Sequence, residues 1–297
     1  MIEASKPVPA GASRRAIVEG EFLFTDEDFR RVSSMLHADS GIHLPDSKAT
    51  LVYSRLAKRL RGLGLRSFRD YCELVAGVDG ASERQAMLAA LTTNVTRFFR
   101  EPHHFDHLSD TVLPALIAEA KSGRRVRLWS AGCSTGQEPY SIALSVLSAF
   151  PEAGNFDFRI LATDIDPVVL ETARTAVYGA EAIGAIPEPM RRRWMEPAGG
   201  GRADASWRMG EEARNLIAFK ELNLNGAWPV KGPFQVIFCR NVAIYFEEPT
   251  QARIWDRFGD LMTDRSRLYI GHSERVNDDA RFQSDGLTVY RLKGARS

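Results

Sequence analysis

The chain has 297 residues, 44% of them hydrophobic, and a formal net charge of +1. Such a length and apolar content can bury a substantial core and predict about two domains. Near-neutrality excludes a whole-molecule attraction to nucleic acid or an anionic membrane, so an electrostatic partner must answer to a local cluster.

Residues 1–20 include Pro7, Pro9, Arg14 and Arg15 but no sustained apolar run. They are expected to form a flexible tail and not a signal peptide. No later segment is long and apolar enough to span a bilayer, so no membrane insertion is expected. Cys72, Cys133 and Cys239 are odd in number and widely spaced, which fits neither a disulfide framework nor a zinc cluster. A reducing cytoplasm is the expected setting.

From residue 25 to about 101 the rhythm is helical. Thr25 can cap a helix whose first turn is acidic (Asp26, Glu27, Asp28), with Phe29, Val32 and Leu36 following at helical spacing. After "SGIHLP", a second helix is expected from Asp46 or Ser47 to Gly62 or Gly64, with Val52, Leu56 and Leu60 on one face. Between Lys48 and Arg69 no acidic residue occurs, whereas Lys48, Arg55, Lys58, Arg59, Arg61, Arg66 and Arg69 are basic. That cluster is either a solvated face or a surface for an acidic partner.

After Arg124 the pattern alternates. "RVRLWSA", "FRILATD", "FQVIFCR" and "RLYIGHS" read as strands, and "PYSIALSVLSAF", "DPVVLETARTAVY" and "PTQARIWDRFGDLM" as helices. Alternation of this kind predicts an α/β fold with a parallel sheet covered on both faces. Residues 179 to about 221 interrupt it. There "PAGGGRADAS" reads as a turn, and "SWRM" and "LIAFKEL" as strands of a small hairpin-based insertion.

Gly132, Ser134 and Gly136 spell G-x-S-x-G, the nucleophile elbow of serine hydrolases, but they equally suit a cofactor loop after the first strand of a nucleotide-binding sheet. In a hydrolase the elbow follows several strands, whereas everything before Trp129 here is helical. A triad of Ser134, Asp164 or Asp166, and His272 has the right chain order. Yet those carboxylates end the very next strand, where an acidic side chain accepts hydrogen bonds from ribose hydroxyls. A dinucleotide or nucleoside triphosphate needs a G-x-G-x-x-G turn or a Walker Lys-Ser/Thr, and "AGCSTGQEPYS" has neither. Glu138 at the helix entry would repel pyrophosphate and suits a cationic, phosphate-free nucleoside such as S-adenosylmethionine.

The set "LTTNVTRFFRE" (91–101), "AGCSTGQEPYS" (131–141), "ATDID" (162–166), "FCRNVAIYF" (238–246) and "GHSE" (271–274) closely resembles the chemotaxis receptor methyltransferases, the CheR family, from about residue 24 to 292. The resemblance implies an S-adenosylmethionine-dependent protein-glutamate O-methyltransferase that releases S-adenosylhomocysteine. It implies a helical N-terminal receptor-recognition domain (21–90) and a linker bearing a cofactor-contacting motif (91–108). A Rossmann-like class I methyltransferase domain (109–297) follows, with a small antiparallel β subdomain inserted at about 179–221. Substrates in the family are glutamates on the cytoplasmic helices of methyl-accepting receptors.

By the same resemblance Asn94, Thr96 and Arg100 reach the cofactor, while Glu138 and Asp164 bind its amino and ribose portions. Asn223 and Leu224 border the adenine, and Arg240 and Asn241 line the pocket floor. Tyr245 matches the family's active-site tyrosine, and Arg100 and Tyr245 are the candidate catalytic pair, orienting the substrate carboxylate. Lys48, Arg55, Lys58 and Arg59 are the candidate receptor contacts. Some relatives dock a receptor pentapeptide on the β subdomain; the "EPAGGGRADAS" loop departs from that pattern and leaves tethering open, and Ala243 stands where a Met is common.

His103, His104 and His107 invite a metal reading, since His103 and His107 would share a helix face, but no suitably spaced Glu or Cys completes the set, and methyl transfer needs no metal. A monomer without nucleic-acid partners is expected. Two other readings remain: a regulatory scaffold that binds S-adenosylmethionine without turnover, and a serine hydrolase using Ser134.

Overall fold

The computed structural model describes residues 16–199, 205–278 and 280–294, so most of the expected tail lies outside the described residues. Its last part is ordered into β1 (Ala16–Val18), which pairs antiparallel with β2 (Phe24–Thr25). Two compact units divide the chain: one runs to Leu91 without Asp39–His43, and the other comprises Asp39–His43 and everything from Thr92 onward.

In the first unit, α1 (Asp26–Ser40) begins where a reciprocal cap forms. Thr25 Oγ accepts from the Asp28 N–H at 3.2 Å, and the Asp28 carboxylate accepts from the Thr25 N–H at 3.0 Å. A turn at Asp46–Lys48 leads into α2 (Ala49–Leu63), which stops at Gly64 with φ of 67°, a backbone shape that caps the last carbonyls without a Cβ penalty. Next come α3 (Phe68–Ala76), capped by Ser67, and α4 (Ala81–Leu91). Phe29, Val32 and Leu36 of α1 and Val52, Leu56 and Leu60 of α2 are buried, as their spacing predicts.

The second unit runs α5 (His103–His107), α6 (Leu113–Lys121), β3 (Val126–Ala131), α7 (Gln137–Ala149), β4 (Phe158–Asp164), α8 (Pro167–Thr175), β5 (Val177–Gly179), α9 (Ala180–Ile183), α10 (Glu188–Trp194), β6 (Met195–Gly199), β7 (Ser206–Met209), α11 (Glu211–Asn215), β8 (Ile217–Glu221), β9 (Val236–Cys239), α12 (Glu248–Asp260), β10 (Arg267–Ile270), β11 (Phe282–Ser284) and β12 (Val289–Leu292). Its main sheet has the order β11-β12-β10-β9-β3-β4-β8. Strands β10, β9, β3, β4 and β8 are mutually parallel, and β12 and β11 add an antiparallel edge.

One strand lies elsewhere than its sequence suggests. "LIAFKEL" is not part of the insertion: β8 pairs parallel with β4 from Ile160↔Ile217 to Asp164↔Glu221. The small antiparallel sheet is instead β5-β7-β6. A short apolar run serves a hairpin and a parallel edge strand equally well, and only the partner decides. The antiparallel edge β11-β12 has no counterpart among the strands expected from the sequence.

Neighbouring residues along a strand serve opposite faces. On β9, Val236 and Phe238 join the core with Leu113, Tyr140 and Leu144 of α6 and α7, while Ile237 and Cys239 join Ile254, Trp255 and Phe258 of α12. The sheet is therefore covered on both sides, and its parallel strands are apolar along most of their length. The chain lays down β3, β4 and β8 toward one edge and returns with β9 and β10 toward the other. Strand order reverses between β3 and β9, the place where an open α/β sheet leaves a crevice above its carboxyl ends.

Candidate functional site at the carboxyl ends of the parallel strands

All five parallel strands deliver residues of the site from their C-terminal ends: residues 132–138 after β3, Asp164 on β4, Asn223 after β8, Arg240 and Asn241 after β9, and residues 271–274 after β10. The loop after β3 is tightly tied. Gly132 and Cys133 N–H groups donate to the Thr163 carbonyl at 2.8 and 2.9 Å, Gly136 N–H to the Cys133 carbonyl at 3.0 Å, and Ser134 N–H to Asp164 Oδ2 at 2.8 Å. Gly132 has φ of 83°, and a Cβ there would lie 2.3 Å from Val242 Cγ2. The N–H groups of these four residues are thus turned into the protein and are not offered to a ligand.

What the loop presents is acidic. Asp164 is buried, with Oδ1 accepting from the Asp166 N–H at 3.0 Å. Burial pushes its carboxyl up, opposed by the N–H donors of Asp166 and Ser134. Glu138, on the first turn of α7, accepts from Ser130 Oγ at 2.7 Å through Oε1 and from Arg240 Nε at 2.8 Å through Oε2. An ionised carboxylate has about four acceptor positions, so both groups keep capacity for ribose hydroxyls and an ammonium. This set of acceptors fits S-adenosylmethionine.

Arg240, expected at the pocket floor, is buried, with Nε donating to Glu138 and Nη1 to the Arg100 carbonyl and to His104 Nδ1 at 3.1 Å. It thereby ties Glu138 to the segment of residues 94–101.

That segment lies over the strand ends. Asn94 Nδ2 donates to Asp166 at 3.1 Å, Ser134 Oγ donates to the Asn94 carbonyl at 3.1 Å, and Phe99 N–H donates to Ser141 Oγ at 2.9 Å. Thr96 is half-buried, and half-buried Arg100 donates through Nη1 to the Val95 carbonyl at 3.1 Å. Phe99, Glu101, Ser134 and Asn241 all have φ between 49° and 59°, a region costly for side chains and found where a site imposes shape.

On the far side, Asn223 donates to the Asp39 carbonyl at 2.6 Å and accepts from Asn225 N–H at 2.9 Å. Leu224 is a core residue whose carbonyl accepts from Trp228 Nε1 at 3.0 Å and Arg257 Nη1 at 3.1 Å. Tyr245 is half-buried in the turn after β9, and its carbonyl accepts from His43 N–H at 2.9 Å.

The sequence passes over one group here. Glu274 is 3% exposed, and its carboxylate accepts backbone N–H groups from Asn241, Val242, Ala243, Ile244 and Gly271. Its place in "GHSE" was the only available signal.

The serine-hydrolase reading fails on geometry. Ser134 Oγ donates to a carbonyl, while His272 pairs with Glu101 at 3.2 Å and Ser273 at 3.1 Å.

The histidines also differ from expectation. Glu101, His103 and His104 bring ligand atoms within 4.8 Å of one another, whereas His107 bonds the Tyr269 hydroxyl at 2.9 Å. His104 Nε2 faces the Leu287 carbonyl at 3.1 Å and therefore carries the proton. Its Nδ1 lone pair accepts from Arg240, so an ion would displace or face a guanidinium, and the set does not suit a metal. Burial, reinforced by Arg240 and His103, holds His104 down to about 3. For Glu101, burial is outweighed by the His272 hydrogen bond and the Arg240 charge, leaving the carboxyl below its ordinary value.

In the first unit, two of the four basic candidates have structural partners. Arg55 Nη1 donates to the carbonyls of Ala90 and Leu91 at 3.2 and 3.0 Å. Arg59 forms a fork on buried Glu83 with two contacts of 2.6 Å, and Tyr71 also donates to Glu83, at 2.8 Å. Lys48 and Lys58 are exposed.

Among known proteins, residues 94–291 match the family model described as CheR methyltransferase, SAM binding domain, and residues 27–92 the one described as CheR methyltransferase, all-alpha domain. A probable chemotaxis protein methyltransferase of Rhizobium etli is 54% identical over 260 residues, covering 86% of this chain and 96% of that protein. Chemotaxis protein methyltransferase 2 of Pseudomonas aeruginosa is 43% identical over 91% of this chain and 94% of its own. The chemotaxis protein methyltransferase of Escherichia coli is 41% identical over 96% and 98%.

Proposed function

The chain belongs to the CheR methyltransferase family, and from that premise we propose that it transfers the methyl group of S-adenosylmethionine to glutamate side chains on the cytoplasmic helices of chemotaxis receptors. The observation that carries this reading is the pair of buried carboxylates, Glu138 and Asp164, at the C-terminal ends of neighbouring parallel strands, beside a loop in which the N–H groups of Gly132, Cys133, Ser134 and Gly136 are already bonded within the protein. When bound, S-adenosylmethionine supplies a methyl carbon activated by its sulfonium.

Glu138 receives the cofactor's ammonium and Asp164 its ribose hydroxyls. Asn94 and Thr96 close over them, Asn223 and Leu224 border the adenine, and Asn241 completes the floor. Arg100 and Tyr245 hold the substrate carboxylate by a charge-assisted and a hydroxyl hydrogen bond. A glutamate near neutral pH is already ionised, so no general base is required. The new bond joins carboxylate oxygen to the methyl carbon as the carbon–sulfur bond breaks, giving a methyl ester and S-adenosylhomocysteine with no proton transferred. The protein's contribution is alignment and exclusion of water.

In the first unit, the exposed cations Lys48 and Lys58 attract the glutamate-rich receptor helices. The protein acts as a monomer, in the cytoplasm, without nucleic acid or a metal. Among the described residues no helix is long and apolar enough to cross a membrane.

The test is transfer of labelled methyl from S-adenosylmethionine to receptor-containing membranes, followed by alkaline treatment. Release of the label as methanol is the expected result. Tight S-adenosylhomocysteine binding without transfer to any receptor would replace the enzyme by a ligand-binding scaffold.

A further inference from the structure

We infer that Glu274 is a positioning residue for methyl transfer, its carboxylate holding the turn that carries Asn241 and Tyr245. The inference rests on the function proposed above.

Strand β9 ends at Cys239, and the chain turns at once through Arg240, Asn241 with φ of 59°, and a helical turn at Ala243–Tyr245. The first N–H groups of such a turn have no partner within it and must find an acceptor elsewhere when buried. Here they converge on one side chain. Glu274 Oε1 accepts from Val242 at 3.0 Å, Ala243 at 2.7 Å and Ile244 at 3.3 Å, and Oε2 accepts from Asn241 at 2.8 Å and Gly271 at 2.5 Å. Successive N–H groups arranged in this way make an anion-binding concavity, filled here by the protein's own carboxylate.

The group is costly to keep. Burial pushes its carboxyl up, countered by the N–H donors of Asn241, Gly271, Ala243 and Ile244. A buried charge dedicated wholly to backbone donors makes the shape of one turn its product. Two of that turn's side chains, Asn241 and Tyr245, belong to the proposed site.

Gly271 is part of the same device. A Cβ there would stand 2.5 Å from Asn241 Nδ2, 2.8 Å from Glu274 Oε2 and 2.9 Å from the Asn241 backbone nitrogen. The space above residue 271 is occupied by the very groups being positioned. By contrast, Glu138 and Asp164 are held by Ser130, Arg240, Ser134 and Asp166, none of which bonds to Glu274 in this arrangement.

Loss of Glu274's charge should therefore misplace Tyr245 and, with it, Asn241, while leaving the acidic cofactor ligands Glu138 and Asp164 in position, so that turnover falls far more than cofactor affinity. The experiment compares wild type, Glu274→Gln and Gly271→Ala in the full chain. It measures kcat and KM for receptor methylation and S-adenosylhomocysteine affinity by calorimetry. A glutamine of the same shape keeps one acceptor oxygen and turns an NH2 group toward N–H donors. We expect kcat to fall about 100-fold, the scale of a displacement near 1 Å, with the dissociation constant for S-adenosylhomocysteine within about fivefold of wild type.

Gly271→Ala, which keeps the carboxylate but crowds the turn, should show the same split and serves if Glu274→Gln does not fold. A folded Glu274→Gln with kcat within about threefold of wild type overturns the inference. So does a proportional fall in kcat and affinity in either variant, which marks a structural residue only. If wild type itself transfers no methyl to any receptor, it is the proposed function that fails.

Discussion

Arg240 and Glu138, separated by 102 residues in the chain, form a buried ion pair with Nε and Oε2 2.8 Å apart. Each also keeps a second tie, Glu138 to Ser130 and Arg240 to His104. Breaking a buried pair from one side strands the other charge, at a cost of about 3–5 kcal/mol. Arg240→Met should therefore lower unfolding stability by about that amount and weaken S-adenosylhomocysteine binding with it. Glu138→Gln keeps the shape and should reduce cofactor affinity by about 10-fold to 100-fold, the value of one charged hydrogen bond. Chemical denaturation and calorimetry on the two variants separate these effects.

Tyr245→Phe removes one hydroxyl from a half-buried ring and should leave the fold unchanged. Its turnover should fall about 10-fold or more while S-adenosylhomocysteine affinity stays within about twofold, because only the substrate carboxylate loses a partner. Equal losses in both would assign the hydroxyl to the cofactor instead.

Two kinds of basic residue in the first unit predict two kinds of variant. Neutralising exposed Lys48 and Lys58 together should raise KM for receptor severalfold at low salt, with the difference shrinking as ionic strength rises. Arg59→Ala should instead destabilise the unit by about 1–3 kcal/mol, since it strips the fork from buried Glu83. Steady-state kinetics over a salt series, beside thermal melts, distinguish docking from folding.

His104 makes stability depend on acidity. In the folded protein it is held down to about 3 from an ordinary 6.5, so between those values only the unfolded chain takes up the proton. Stability is therefore fully present above about pH 6.5 and declines toward pH 3 with a slope approaching 1.4 kcal/mol per pH unit. His104→Gln, measured by denaturant titration between pH 4 and pH 7, should flatten that slope relative to wild type.

Much of the fold was legible because its signals are local. The Thr25 and Asp28 cap, the Gly64 stop and the 3.6-residue rows of α1 and α2 each lie within a few residues of what they control. Strand and helix alternation after Arg124 follows the same rule, and the glycines of the loop after β3 announce a backbone that a Cβ would obstruct. The motif set was specific enough to identify the family, together with the segments that meet at the crevice.

Partnership was another matter. Whether residues 217–221 extend the main sheet or the insertion is a question of which strand lies alongside, and their apolar pattern suits both. No local signal joins Arg240 to Glu138, the Arg100 carbonyl and His104, which lie 102 to 140 residues away in the chain. Arg59 read as a free surface cation until Glu83 was seen beneath it.

By itself, then, the sequence determined the family, the order of elements and the residue types at each strand end, since these depend on local spacing and motif. Only the tertiary structure decided which charges are neutralised internally and which remain for a ligand or partner. That depends on hydrogen bonds between residues far apart in the chain, 24 positions for Arg59 and Glu83 and 136 for Arg240 and His104, formed in a low-dielectric interior where an unpaired group is costly and each must find its acceptor.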